Sequence, residues 1–322
     1  MLLPRGQEDS LFVVNPKKAC SLCQNDKLAR GKCEVCRGTG FRPVDLNGLW
    51  YPSSGFLVCG GPSVNKIDKE KLRERGVVSL AVNNVAGHVP VTAWCFGDPQ
   101  IKFHHGVHLD PKCLTFAPLG KLRKRIYVKL PDGTFRATKV HVMDCPGVYG
   151  FARTSKFIPS EFFSSWYGQW GRGGDQPASD MPFKCLCTML LGFRLMHYLG
   201  CPRIYLLGVD LWMDEASPYA FNQQRSPHNR RYWKENAYLK ELKPVFKEHG
   251  FEVFNCNPDS KCDVFDYVPF EKAYEDCRGA VPIEPFDLSK WYDKSTSAEH
   301  IARNPQNISL REVQEIQNLK RT

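Results

Sequence analysis

Four cysteines carry the sharpest chemical signal in the chain, spaced Cys20-x2-Cys23-x9-Cys33-x2-Cys36 and continuing as Arg37-Gly38-Thr39-Gly40. Two such knuckles set four thiolates at tetrahedral distance around zinc, and the glycines permit the sharp turns that aim main-chain N–H groups at sulfur. With sulfur at every corner no position stays open for a reactive water, so the ion is expected to hold structure. A second signal is Gly55-Phe56-Leu57-Val58-Cys59-Gly60-Gly61-Pro62-Ser63, a buried strand entering a tight turn, with a helix expected over Ile67 to Arg75. Side-chain-free residues at a strand end let main-chain N–H groups approach an anion, and a helix start adds its positive end. Such a corner seats a phosphate or nucleotide, although Gly-Gly-Pro also makes an ordinary loop.

The elements that position this corner are strands alternating with helices. Short apolar runs at Phe56 to Cys59, Val77 to Val82, Thr92 to Gly97, Cys113 to Ala117, Arg203 to Gly208 and Phe251 to Phe254 predict strands buried on both faces. Lys184 to Leu199 and Tyr232 to His249 predict helices, each closed by a glycine. Arg125 to Leu130 and Thr138 to Met143 flank Pro131-Asp132-Gly133-Thr134, a hairpin signal. Repeated β-to-α switching points to an α/β fold with a mostly parallel sheet and a ligand along its carboxyl edge. That edge would gather Gly60, Gly61 and Ser63, then Asn83 and Asn84, Asp98, Asp210, and Asn257 to Ser260. Amides suit ribose and base edges, small hydroxyls suit phosphate oxygens, and a carboxylate can hold a hydroxyl or a metal. Each of these residues is also an ordinary turn former or helix cap.

At 322 residues the chain accommodates one large α/β domain with appendages. The expected division is a zinc-ribbon-like module over 1–48, a nucleotide-binding domain over 49–285 and a helical tail over 286–322. The longest apolar run, Cys185 to Gly200, is interrupted by Arg194 and too short for a bilayer, so it reads as a buried helix rather than a span. Met1-Leu2-Leu3-Pro4-Arg5 leads straight into polar residues, so no secretory leader is expected. Most of the fourteen cysteines stand singly in apolar runs, which suits small hydrophobes in a reducing cytoplasm. The net charge of +10, concentrated in Lys121 to Arg125 and Arg225 to Lys234 and echoed around the cysteine knuckles, suits a polyanionic partner or a solvated basic face. Phe162, Phe163, Trp166, Tyr167 and Trp170 sit in a long irregular stretch that reads as a binding loop. In the tail, Leu310, Val313, Ile316 and Leu319 form an amphipathic stripe able to dock on the domain or on a second subunit.

The second knuckle is similar to the zinc-binding repeat of DnaJ-type chaperones. From Gly55 to Pro269 the chain resembles the bacterial sialyltransferases of glycosyltransferase family 42, and the related MptE-like family that includes archaeal 6-hydroxymethylpterin diphosphokinases. The resemblance rests on the Gly55 to Ser63 corner, Ala81-Val82-Asn83, Ile204 to Asp210, Ser217-Pro218-Tyr219-Ala220-Phe221, His228, and Phe254 to Ser260. It implies a Rossmann-like (GT-A-like) sheet flanked by helices, with Gly61, Ser63 and Asn83 holding the nucleotide. Tyr219 would donate to the leaving phosphate and His228 would act as general base, a task an imidazole performs near neutral pH. A second phosphate-binding tyrosine of the sialyltransferases falls on Trp212. Of a Thr-Ser-Gly before the long helix only Thr188 keeps a hydroxyl. Asp98 replaces an asparagine, which moves that position toward the MptE-like pattern and a Mg²⁺ role. These departures argue against sialic acid as donor and leave a nucleotide-activated sugar or related diphosphate.

The leading expectation is an inverting glycosyltransferase that moves a sugar from a nucleotide-activated donor to a hydroxyl. A hydroxylated base in DNA, as in phage-type DNA modification, would suit the charge and the aromatics as acceptor. The alternatives are an MptE-like diphosphokinase with Mg²⁺ held by Asp98 and Asp210, and a non-enzymatic nucleic-acid-binding protein.

Overall fold

The computed structural model describes residues 10–23, 31, 33–130, 134–172, 185–213, 219–221 and 229–279. Among these the strands run β1 Val13–Ala19, β2 Phe41–Pro43, β3 Gly55–Val58, β4 Val78–Val82, β5 Ala93–Cys95, β6 Leu114–Pro118, β7 Arg125–Lys129, β8 Phe135–His141 and β9 Val148–Phe151. Four two-residue strands follow: β10 Arg153–Thr154, β11 Gly168–Gln169, β12 Gly171–Arg172 and β13 Cys185–Leu186. Then come β14 Arg203–Leu207 and β15 Glu252–Asn255. The longer helices are α1 Thr188–Tyr198, α2 Asn229–Glu248 and α3 Phe270–Gly279.

The chain divides into two compact units, one built from Leu46–Cys95 and the described part of Arg153–Pro285, the other from Phe12–Asp45 and Phe96–Ala152. In the first unit the strands stand in the order β15-β14-β3-β4-β5, and every pairing is parallel. Strands β3 and β4 are buried along their whole length, which is why they read as unbroken apolar runs rather than alternating ones. Helix α1 is buried at all of its positions. A Cβ on Gly192 would lie 2.5 Å from Leu57 Cδ1, and one on Gly55 2.7 Å from Met196 Cε, so glycine on each partner lets α1 settle closely on β3. Helix α3, which the sequence reading did not anticipate, is tied to β14 by Arg203 and Tyr205, both bonded to Asp276.

The second unit carries β6 parallel to β9, with β1 antiparallel to both β9 and β2. The cysteine segment therefore shares its unit with residues 96–152, through Val13 opposite Phe151 and Val14 opposite Gly150. The expected hairpin is present as antiparallel β7 and β8. Its turn at 131–133, the tail and Lys184 lie outside the described residues.

The helix expected over Ile67 to Arg75 is replaced by two short 3-10 turns, Pro62–Lys66 and Lys69–Arg73. Ile67 is extended at φ −112°, ψ 160°. Asp68 then caps the second turn by accepting from Glu70 N, so the local polar side chain ends what propensity would have continued. No α-helix N-terminus follows the glycine corner, and the dipole support expected there is absent among the described residues.

Candidate nucleotide seat and metal centre

In the metal corner Cys20 Sγ lies 3.8 Å from Cys33 Sγ and Cys23 Sγ 3.7 Å from Cys36 Sγ. All four sulfurs fall within 4.8 Å of one another. With metal–sulfur bonds of about 2.3 Å, the edge of a tetrahedral zinc–sulfur site is roughly 3.8 Å, whereas a disulfide needs about 2.05 Å. Every cysteine is a free thiol. Gly40 N donates to Cys36 Sγ at 3.3 Å, and Cys20 N donates to Gly40 O at 3.0 Å. Arg37, Gly38 and Gly40 take left-handed φ values of +48°, +78° and +77°, which supply the sharp return the knuckle needs. The Cys23 backbone N–H is the main influence that draws the Cys20 thiol down to about 7, toward the thiolate a metal takes. Among the described residues this is the one cluster of three or more such ligand groups.

In the first unit β3 and β14 are neighbours, while β4 follows on one side and β15 on the other. The chain thus reverses its winding between them, and the carboxyl ends of these two strands open the crevice where α/β sheets bind ligands. The loops after them are laced together: Cys59 N donates to Leu207 O at 2.7 Å and Gly61 N to Gly208 O at 2.9 Å. Gly208 holds φ +65°, and a Cβ there would sit 2.2 Å from Cys59 O. A Cβ on Gly61 would lie 2.6 Å from both Asp210 Oδ2 and Gly208 O, whereas one on Gly60 meets the Tyr219 and Phe221 rings at an ordinary 3.4 Å.

Asp210 is the centre of this lacing. Its Oδ2 accepts from Ser63 N at 2.9 Å, and its Oδ1 accepts from Asn257 Nδ2 at 2.8 Å and from the Ser63 hydroxyl. Its carbonyl accepts from Lys261 N at 2.8 Å. Ser63, placed by sequence against a phosphate, therefore directs both its N–H and its O–H at a carboxylate of the same chain. The next residue, Leu211, is held at φ +48°, a conformation a bulky side chain adopts only when its surroundings over-determine it.

A second strained residue marks the end of β4. Asn83 sits at φ +53°, its carbonyl accepting from Trp94 Nε1 at 2.8 Å and its amide donating to Thr188 Oγ1 at 2.9 Å. Thr188 opens α1, so two residues far apart in sequence meet beside the seat. Tyr219, Ala220 and Phe221 lie over the glycine corner: Ala220 N donates to Gly60 O at 3.0 Å and Asn65 Nδ2 to Ala220 O at 2.8 Å. The Tyr219 and Phe221 rings stack at 5.4 Å, and Phe221 stacks on His88 at 4.3 Å and 4°. Nothing in the local pattern around His88 or Asn65 signalled these contacts.

Of the remaining candidates, Trp212 is 53% exposed. Asp98 belongs to the second unit and pairs with Lys102 Nζ at 3.2 Å. His228 lies outside the described residues. Of the basic run 225–234, Lys234 is buried, and the partly exposed Arg231 bonds Glu235 Oε1 at 2.8 Å and the Leu186 carbonyl. Its Arg-x-x-x-Glu spacing was the available sign of this pair. Burial pushes the Cys59 and Cys187 thiols well above their ordinary value, so they act as apolar filler. Phe162 and Phe163 are buried against Phe246, which removes them from the expected aromatic platform.

No protein-family model matches the chain, and no curated protein matches it in sequence. Two solved structures are similar to it. One is the MAf glycosyltransferase from Magnetospirillum magneticum AMB-1, at 14% identity and TM-score 0.40, over 74% of this chain and 36% of that one. This chain thus spans about a third of that protein's length. The other is the sialyltransferase CstII from Campylobacter jejuni, in complex with a substrate analogue, cytidine-5'-monophosphate, at 13% identity and TM-score 0.35, over 67% of this chain and 85% of that one. Among the described residues no helix is long and apolar enough to cross a membrane.

Proposed function

We propose that the chain is a glycosyltransferase whose nucleotide-activated donor binds at the crevice between the β3 and β14 ends. This reading is supported by the Gly60-Gly61 corner with Tyr219 laid over Gly60, and by the left-handed Asn83, bonded to Thr188, at the end of the neighbouring strand β4. Strained, over-determined residues cluster where a ligand is gripped. In this reading Asn83 and the glycine corner hold the nucleotide, and Tyr219 donates a hydrogen bond to the departing phosphate as the acceptor hydroxyl attacks the anomeric carbon. The acceptor proton passes to a base, for which His228 remains the candidate.

Asp210 ties the loops of this seat together. Three hydrogen bonds from two loops hold its carboxylate, and we assign it to shaping the seat. The four cysteines fit zinc by the sulfur spacing above, and we assign the ion a structural role.

The test is a thermal-shift screen of the full chain against CMP-, UDP-, GDP- and ADP-linked sugars and ATP, each with and without Mg²⁺. A rise in melting temperature with one nucleotide sugar, independent of Mg²⁺, is expected. Stabilisation by ATP with Mg²⁺ alone would overturn the reading.

A further inference from the structure

A cleft of about 560 Å³ opens on the first unit between Thr154, Lys156, Glu161, Ser165, Trp166 and Tyr167, within the size range of small-molecule sites. It is separate from the nucleotide seat. Arg194 Nη2 donates to the Ser165 carbonyl at 3.1 Å, and Arg194 stands six residues along α1 from Thr188, about 9 Å down the helix from the Asn83 contact.

The walls are tied by internal hydrogen bonds. Arg194 is buried, and so is Gln169, whose amide brackets Ile158 by accepting from its N–H at 2.7 Å and donating to its carbonyl at 3.2 Å. Trp166 and Tyr167 lie ring against ring, with centroids 3.5 Å apart. Thr154 Oγ1 accepts from Lys156 N at 3.2 Å and Ser165 Oγ accepts from Tyr167 N at 3.2 Å. Each hydroxyl thus has one lone pair engaged and an O–H able to donate. Lys156 and Glu161, both exposed, add one cation and one anion.

We propose that this cleft binds the pyranose ring of a neutral saccharide. The C–H face of such a ring packs on aromatic carbon, and its rim hydroxyls both give and accept hydrogen bonds. The cleft offers those partners: an aromatic wall, hydroxyl donors, a carboxylate acceptor and an ammonium donor. A nucleic-acid strand would instead require cations in series along its phosphates, and here the single lysine is balanced by Glu161. Pre-ordered walls keep the entropic penalty of binding low.

The experiment is saturation-transfer NMR and calorimetry on the full chain, using neutral gluco-, galacto- and manno-configured trisaccharides beside a single-stranded thymidine oligonucleotide. At least one trisaccharide is expected to bind, with CMP at the seat leaving its affinity unchanged. Trp166→Ala should weaken that binding about tenfold or more, and Glu161→Gln several-fold. Because Glu161 is exposed, that variant tests the site even if Trp166→Ala does not fold. Failure of every trisaccharide to bind, or binding that neither substitution alters, overturns the proposal. So does oligonucleotide binding that displaces the saccharide. None of these outcomes bears on the seat between β3 and β14.

Discussion

Two adjacent glycines should respond very differently to the same substitution. In Gly61→Ala the new methyl would lie 2.6 Å from Asp210 Oδ2 and from the Gly208 carbonyl. Neither neighbour can yield easily: Gly208 is backbone in the left-handed region, and the Asp210 carboxylate is held by Ser63 and Asn257. Relief requires moving the carboxylate off the Ser63 N–H and loosening its other contacts. Hydrogen bonds to a charged group contribute about 1.5–3 kcal/mol each, so losing one and weakening the rest costs roughly 2–4 kcal/mol. For a unit of this size that lowers the melting temperature by about 5–10 °C. In Gly60→Ala the methyl meets the Tyr219 and Phe221 rings at 3.4 Å, an ordinary contact, and stability should hardly change. Differential scanning calorimetry of both variants, repeated with the nucleotide sugar that stabilises the parent, measures the contrast. If Gly61→Ala melts with the parent and keeps the full ligand shift, the sterically closed turn is refuted.

Asp210→Asn should lose about 2–3 kcal/mol in urea unfolding, because its amide oxygen can no longer receive all the donors of Ser63 and Asn257; an unchanged unfolding midpoint would contradict the clamp. Chelation of the zinc-loaded protein should render Cys20, Cys23, Cys33 and Cys36 reactive to a thiol reagent without denaturant while the buried thiols stay silent, and an unaltered reactive-thiol count would argue against the metal. Burial, helped by His105, depresses the His108 pKa to about 3. The unfolded chain then binds the extra proton between about pH 6.5 and 3, so stability should fall by up to about 1.4 kcal/mol per pH unit as pH drops through that window. His108→Phe should flatten that slope, as read from unfolding midpoints across pH.

Much of the architecture was legible before any coordinates. Strands β3, β4 and β14 announce themselves because burial on both faces demands continuous apolar runs, and Gly200 marked the end of α1. Propensity predicts a helix over Ile67 to Arg75, where the chain forms only the short turn Lys69–Arg73, because Asp68 competes for the backbone locally, a choice propensity does not weigh. Phe162 and Phe163 looked like a binding surface in an irregular segment, yet they fill core against Phe246. An aromatic residue outside regular structure gives no sign of which way it faces.

The cysteine spacing by itself determined the four-sulfur cluster, since the two residues between knuckle sulfurs and the following glycines fix its geometry within a few bonds. The order of apolar runs likewise determined a parallel sheet with polar residues at its carboxyl edge. Only the tertiary structure decided what those residues do for one another. Ser63 and Asp210 meet across 147 positions of chain, and Asn83 reaches Thr188 across 105. The first meeting follows from β14 crossing back to lie beside β3, a pairing that no local pattern encodes, and it makes the Asp210 carboxylate the fastener of the loop after β3.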